Sequence, residues 1–533
     1  MFLEIGLLSV LTHLTFRSYE PEDITHAFLI ALPGALGSLY FVTPFTLWTT
    51  SIAVGTYLAV LCVSVIAYRL SPFHPLARYP GPLLNKVTQL APMWTVFTGR
   101  QHLVNHALHA KYGPIVRVGP NDLSIVDATA IPAVLGGNGL PKGQYYRARQ
   151  IPNAPRNIIG MHGEAHAARR KLWNRAFSPD SLKAYEEHIA KHASTVVEKL
   201  KEKEGQDVDL VAWINRFTFD VMGDMIFGRS FNMITEGDTA NIWNTLVKFA
   251  MQGAIASHIP WARTVFLALP MFSQHFTTMR KFGMECAMRR LNSEAEVQDL
   301  WYYLSDEAGL ENVKPSVGEV GADGTFAVVA GADTTASALA SLFWFLLQNA
   351  AVCDRVKKEI DSVYADGANP LSTAKHGELV FLSACINETL RLHPPVPTNG
   401  PRQVPTDAGG KSIAGEYIPA GTQIYLPPFS LHRDPRYFSP SPDTFIPDRW
   451  LSSTGTQSTQ LAFIPFSYGP ANCVGRQMAK QEMLMFASAL LQTFDFAFAS
   501  GFDGKQAERW EEKRFDFLVT TRDSLMVRVK ARA

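Results

Sequence analysis

Apolar character dominates the first seventy residues. Three runs stand out, at residues 2–14, 27–43 and 48–68. The last holds about 20 residues without a charge, enough for a helix to cross a bilayer. It closes on Tyr68-Arg69, with Arg78 and Lys86 beyond it. Positive charge just past a span places the following chain on the cytoplasmic side. No basic segment precedes the first run, which argues against a cleaved secretory leader. The second run contains Pro33 and several glycines and suits a span, a re-entrant segment or a surface helix, so one span and three both fit.

From residue 71 the pattern changes. Prolines at 72, 75, 80 and 82 disfavour helix and predict a stiff, extended connector. Short strands are expected at 115–118 and 123–126 around the turn Gly119-Pro120-Asn121-Asp122. Helical spacing then prevails from 209 to 291, and the apolar stretch 249–270 suits a substrate channel or a membrane-dipping patch equally. Residues 325–347 are apolar on nearly every face, as in a helix buried through a large domain. Further helices are expected at 378–392 and 476–491, and strands at 412–417 and 422–426. The pattern predicts a mainly α fold with a small β region, divided into an anchor at 1–70 and one large domain at 71–533.

Composition narrows the function. A net charge of +1 with 18% charged residues excludes a polyelectrolyte partner such as nucleic acid. The five cysteines are scattered and lack a C-x-x-C pair, against both a disulfide framework and a zinc site. A reducing, cytosol-facing compartment follows for the folded part. The glycine-rich run 318–324 does not follow a strand as a nucleotide fingerprint should, and no P-loop, G-x-S-x-G motif or internal repeat is present.

Four constellations carry chemistry. Phe466-Ser467-Tyr468-Gly469-Pro470-Ala471-Asn472-Cys473-Val474-Gly475 sets one cysteine in a tight loop before a helix. A helix N-terminus favours a thiolate, and the glycines let backbone approach a flat ligand. Phe466 adds an aromatic face, so the loop has what an axial thiolate to haem iron requires, although a lone cysteine is more often plain packing. Ala330-Gly331-Ala332-Asp333-Thr334-Thr335 places a carboxylate inside the apolar helix. That is costly for a span and marks a functional site, against the alternative of a local hydroxyl back-bond. Glu388 and Arg391, three apart, share a helix face beside apolar residues. His166 to Lys171 open a basic helix, by default a solvated face.

Together these resemble the cytochrome P-450 family. The Cys loop is similar to F-x-x-G-x-[R/H]-x-C-x-G, the apolar helix to [A/G]-G-x-[D/E]-T-[T/S], Glu388–Arg391 to E-x-x-R, and Pro447-Asp448-Arg449-Trp450 to P-x-R-[F/W]. They occur in the family's order from about Tyr68 to the C-terminus. The proline-rich segment looks like the hinge of microsomal, especially fungal, members. The resemblance implies Cys473 as the ligand of haem b, flanked by Phe466, Gly469 and Gly475. It implies that Gly331 clears room for substrate and dioxygen, while Asp333 and Thr334 deliver protons. Glu388, Arg391 and Arg449 become a buried ionic network holding the haem-side loop.

One position departs: Ala471 stands where the family has an Arg or His for a haem propionate. In the family's W-x-x-x-[R/H] element His166 holds the Trp position and Arg170 the cation, and Arg402 offers a second partner. The function implied is a haem-thiolate monooxygenase of the endoplasmic reticulum membrane, with its catalytic domain in the cytoplasm. It would take electrons from an NADPH–cytochrome reductase, for whose acidic surface Arg476 and Lys480 offer a contact unless they are plain solvated surface, and use O2 to oxidise a lipophilic secondary metabolite such as a terpenoid. Desaturation, rearrangement or dehydration by the same centre is the first alternative. A non-catalytic membrane haem-binding protein is the second, with Ala471 its only hint.

Overall fold

The computed structural model describes residues 2–19, 24–150, 154–292, 298–365, 368–451, 457–502 and 509–532. Three helices open the chain: α1 at Phe2–Ser18, α2 at Ile24–Tyr40 and α3 at Leu47–Leu70, each packed on the other two. The connector after them is not extended. Hydrogen bonds from His74 N to Ser71 O, Ala77 N to His74 O and Tyr79 N to Leu76 O fold it into successive turns. Leu76 and Tyr79 are buried, and Arg117 N donates to Pro80 O at 2.7 Å. Prolines removed the helix option, but apolar side chains between them then docked the segment onto the domain.

The helix through the middle spans Val317–Gln348, about 48 Å at 1.5 Å per residue. It starts eight residues before its apolar pattern because a capping box nucleates it there. Ser316 Oγ accepts from Glu319 N, and Glu319 Oε2 accepts from Ser316 N at 2.9 Å. The glycine-rich run 318–324 is therefore helical. Helices Leu210–Phe227 and Pro270–Leu291 pack along it, as do Val380–Leu392 and Arg476–Thr493. Phe217 and Phe486, 4.3 Å apart, join two of these beside Phe343. In the 249–270 stretch Ala254 to His258 are buried, whereas Trp261 and Val265 are exposed near α2.

The β region is small. A mixed sheet runs in the order Ile115–Arg117, Asp122–Ile125, Gln423–Tyr425, Arg402–Gln403, with only its central pair parallel. Residues 412–417, read above as one strand, are instead a hairpin of Lys411–Ile413 and Glu416–Ile418. Ala414 and Gly415 both have positive φ, +49° and +78°, as a two-residue hairpin turn demands. Alternation of side chains continues across such a turn, which hid it. A second hairpin, Phe515–Phe517 with Val519–Thr521, and a sheet of Asp207–Asp209, Met526–Ala531 and Phe494–Phe498 complete the region.

Glu388 and Arg391 are fully buried on the Val380–Leu392 helix. Glu388 accepts from Arg391 Nε and Nη2 at 2.8 Å, from Arg449 Nε, Trp450 Nε1 and Ile446 N at 2.9 Å. Arg391's remaining N–H groups donate to the carbonyls of His432, Pro442 and Thr444. His432 continues the chain of bonds: its Nε2 lies 3.0 Å from Ile464 N, two residues before Phe466. Burial, reinforced by Arg391 and Arg433, pushes its pKa down to about 3. The ring is thus neutral and can accept that amide. Glu388→Ala would leave two guanidiniums without their carboxylate, an expected loss of about 3–5 kcal/mol in denaturant unfolding. Lys199→Ala, which breaks the exposed pair with Glu202, should cost about 0.5 kcal/mol or less.

Candidate functional site

The Cys loop is built by backbone bonds. Ser467 N donates to Ile464 O at 3.0 Å, Asn472 N to Gly469 O at 3.0 Å and Cys473 N to Phe466 O at 2.9 Å. Cys473 is thereby delivered to the start of helix Arg476–Thr493 as an exposed residue, while Cys286 and Cys385 are buried. Protein crowded around the thiol raises its pKa, opposed by the Gly475 amide, Arg170 and Arg476. Gly469 has φ +73°, and a Cβ there would lie 2.0 Å from the Leu135 carbonyl oxygen. That neighbouring chain alone already requires glycine here. Gly475 has an ordinary φ of −79°, and a Cβ would meet only the Phe177 ring, at 3.6 Å. Phe466 is half-buried and packs against the main core.

Arg170, on helix Gly163–Ala176, clasps this loop. Its Nη1 donates to Asn472 O at 2.6 Å, Nη2 to Asn472 Oδ1 at 2.7 Å and Nε to Asn174 Oδ1 at 2.8 Å. Arg402 differs: it is buried, enters no ion pair among the described residues, and its Nε lacks a hydrogen-bond partner there. Lys142 is buried beside it, because Gln403 N donates to Pro141 O and pins the two segments together. The nearest acceptor to Lys142 Nζ is Ile158 O, at 3.4 Å. Burial, then Arg402 and Arg170, push Lys142 down to about 7. Burial, then Lys142, Arg170 and Arg402, push His166 down to about 4.

Four basic side chains thus meet, and the two arginines depress the basicity of Lys142 and His166. Buried charge without a counter-charge is expensive, and two carboxylates of a haem edge are the counter-charge this cluster fits. The residues present can therefore hold that group although Ala471 offers nothing. Lys142 was missed in the sequence, since Pro141-Lys142-Gly143 belongs to no motif and only the strand pairing beside it reveals its place.

On the long helix, Phe326, Val329, Ala330, Gly331 and Thr334 are partly exposed, whereas Ala327, Val328, Ala332, Asp333 and Thr335 are buried. One face of an otherwise enclosed helix is open. Thr334 lies on that face, and its Oγ1 donates to Ala330 O at 2.6 Å. Asp333 points elsewhere: its Oδ1 accepts from Arg522 Nη1 at 3.0 Å, and both side chains are almost wholly buried. Burial pushes Asp333 up, with Arg522 opposing. Arg522 follows the 515–521 hairpin and also donates to Asn215 Oδ1. Nothing near Asp333 in sequence signals this partner. Gly331 also faces a packing constraint within the protein. A Cβ there would lie 2.4 Å from the Met222 sulfur, so its lack of a side chain lets helices 210–227 and 317–348 pack closely.

The profile of the cytochrome P-450 family matches residues 78–523. The cytochrome P-450 monooxygenase cpaH of Aspergillus oryzae is 33% identical over 499 residues, covering 90% of this chain and 93% of that protein. The monooxygenase FCK2 of Fusarium pseudograminearum is 33% identical over 518 residues, covering 92% and 91%. Tryprostatin B 6-hydroxylase of Aspergillus fumigatus is 28% identical over 522 residues, covering 94% and 91%.

Two outcomes follow from the charges. Arg402→Ala and Arg170→Ala should each purify with less than one haem per chain, measured as pyridine haemochromogen; full occupancy in both would refute the cluster's role. Arg522→Met should lower the unfolding midpoint by stranding the Asp333 carboxylate, and adding Asp333→Asn should recover part of that loss in a double-mutant cycle.

Proposed function

The chain belongs to the cytochrome P-450 family, and on that premise we propose that Cys473 is the thiolate ligand of its haem b and that a lipophilic secondary metabolite is its substrate. The family is one of haem-thiolate monooxygenases, and this protein is such an enzyme. The observation that carries the residue assignment is Cys473, with the Gly475 amide directed at its thiol, on a loop clasped by Arg170 beside the buried Arg402 and Lys142, which enter no ion pair among the described residues. Arg402, Lys142, His166 and Arg170 would hold the propionates. Bound haem would supply dioxygen activation, and electron donation from the Cys473 thiolate would favour O–O cleavage.

The chain's own residues do the rest. Thr334 presents a hydroxyl on the open helix face, where it orders water beside the reacting centre. Asp333 is the proton reservoir behind it, available once it parts from Arg522. Substrate lies along the apolar face of Phe326, Val329 and Ala330. Glu388, Arg391 and Arg449 act by holding the Cys loop. Exposed Arg476 and half-buried Lys480, close to Cys473 in sequence, offer a contact for an NADPH–cytochrome reductase. The enzyme sits on the endoplasmic reticulum membrane through its N-terminal helices, with the catalytic domain in the cytoplasm. Hydroxylation is the reaction proposed, in keeping with the printed activity of tryprostatin B 6-hydroxylase, and terpenoids remain the first substrate class to supply. Expression with a reductase, feeding of candidate compounds and mass spectrometry of the products identify the substrate.

Reduced protein under carbon monoxide should give the red-shifted Soret band of thiolate ligation, and Cys473→His should abolish it. A histidine-type band in the unaltered protein would overturn the assignment. Thr334→Ala should lower product formed per NADPH consumed several-fold while leaving that Soret band in place.

A further inference from the structure

The three N-terminal helices bury an unusual share of polar side chains beside a small apolar cluster of Ile5, Val42 and Ala53, and turn most of their large apolar residues outward. Ser9, Thr12 and His13 of α1, Gly34 and Ser38 of α2, and Tyr57 of α3 are buried between them. Leu3, Leu7, Leu11, Phe28, Leu36 and Val63 face outward and are exposed. A bundle folded in water does the reverse, burying its apolar stripe.

Polar bonds fill the interior. The Tyr57 hydroxyl lies 2.8 Å from Thr12 Oγ1 and 3.0 Å from Ala31 O, joining all three helices. Ser9 Oγ donates to Tyr57 O at 3.1 Å, and His13 Nδ1 lies 2.7 Å from Ser64 Oγ. Gly34 permits this approach, since a Cβ there would lie 2.5 Å from the Tyr57 oxygen. Small residues at the contact, interior hydrogen bonds and an apolar exterior are how helices associate in lipid. Of the three, only α3 is both long and apolar enough to span; α2 is apolar but short, and the inward-facing polar residues of α1 dilute its apolar signal. At 17 residues each, α1 and α2 reach about 25 Å, slightly short of a bilayer core of about 30 Å, a mismatch that local thinning absorbs.

The bundle has one end with basic residues and one without Lys or Arg, where Glu4 of α1 is the charged side chain among the described residues. The Arg17 guanidinium lies 4.6 Å from the Tyr68 ring centre, so the C-terminal ends of α1 and α3 coincide. Arg69 lies there too and donates to Val87 O, which marks this as the end facing the catalytic domain. Residues 41–46, between α2 and α3, carry no charge. Basic residues remain on the cytoplasmic side of a membrane.

We propose that α1, α2 and α3 cross the membrane as a three-pass unit, with Ser18 on the cytoplasmic side and the 41–46 turn on the lumenal side. This rests on the membrane location proposed above and deepens it. The single-span alternative, with α3 alone inserted and everything before it translocated, would put both positions in the lumen. The experiment uses the full chain expressed in microsomes, with a flexible loop carrying an N-glycosylation acceptor inserted after Tyr19 or at Thr43. The Thr43 insertion should gain an endoglycosidase-sensitive mobility shift and the Tyr19 insertion should not. A glycan at Tyr19, or none at Thr43, overturns the three-pass unit. A second pair of insertions, at Ser18 and Thr46, repeats the reading should a first one disturb the bundle. Alkaline carbonate extraction of the unaltered protein separates the two claims: release from the membrane sinks the anchor itself, whereas retention with glycans at both positions sinks only the three-pass arrangement.

Discussion

Glu388 has no contact with water, yet it accepts hydrogen bonds from two guanidiniums, an indole and a backbone amide. A carboxylate in that position is tolerable only because its oxygens are fully engaged. The same holds for Arg391, whose five N–H groups all find acceptors. Through His432 this cluster reaches Ile464 and hence the backbone that shapes the Cys loop. The position of the thiol therefore depends on an ion cluster that takes no part in chemistry.

Buried charge is handled in three ways in this protein. Around Glu388 it is satisfied and static. Between Asp333 and Arg522 it is satisfied by one partner drawn from a hairpin far along the chain, an arrangement that allows the carboxylate a second role when the pair separates. Around Arg402 and Lys142 no ion pair among the described residues satisfies it, and the proposed haem propionates would complete the cluster.

Legibility in the sequence follows the same division. Motifs whose members sit a few residues apart were readable, because helix and loop spacing alone bring Glu388 to Arg391 and Gly469 to Cys473. Arg449 was reached only through a resemblance. Lys142 and Arg522 could not be read, since strand pairing and a C-terminal hairpin carry them to partners distant in sequence. The mainly α architecture and the buried long helix were legible from periodicity, but its start was set by the Ser316 capping box rather than by apolar pattern. Gly331 and Gly469 carry a further constraint that spacing does not show: a Cβ at the first would displace Met222, and one at the second would meet the Leu135 carbonyl oxygen.

The docked connector has a practical consequence. Leu76 and Tyr79 belong to the same buried cluster as Leu123, Ile125 and Ile424, and Gly81 lies so close to the Arg117 carbonyl that a Cβ would sit 2.2 Å from its oxygen. The true edge of the soluble body therefore falls near residue 70, not at the last proline. A truncated version beginning after Pro82 would strip two side chains from the β-sheet face and leave a greasy groove on its surface, whereas one beginning at Ser71 keeps that wall intact.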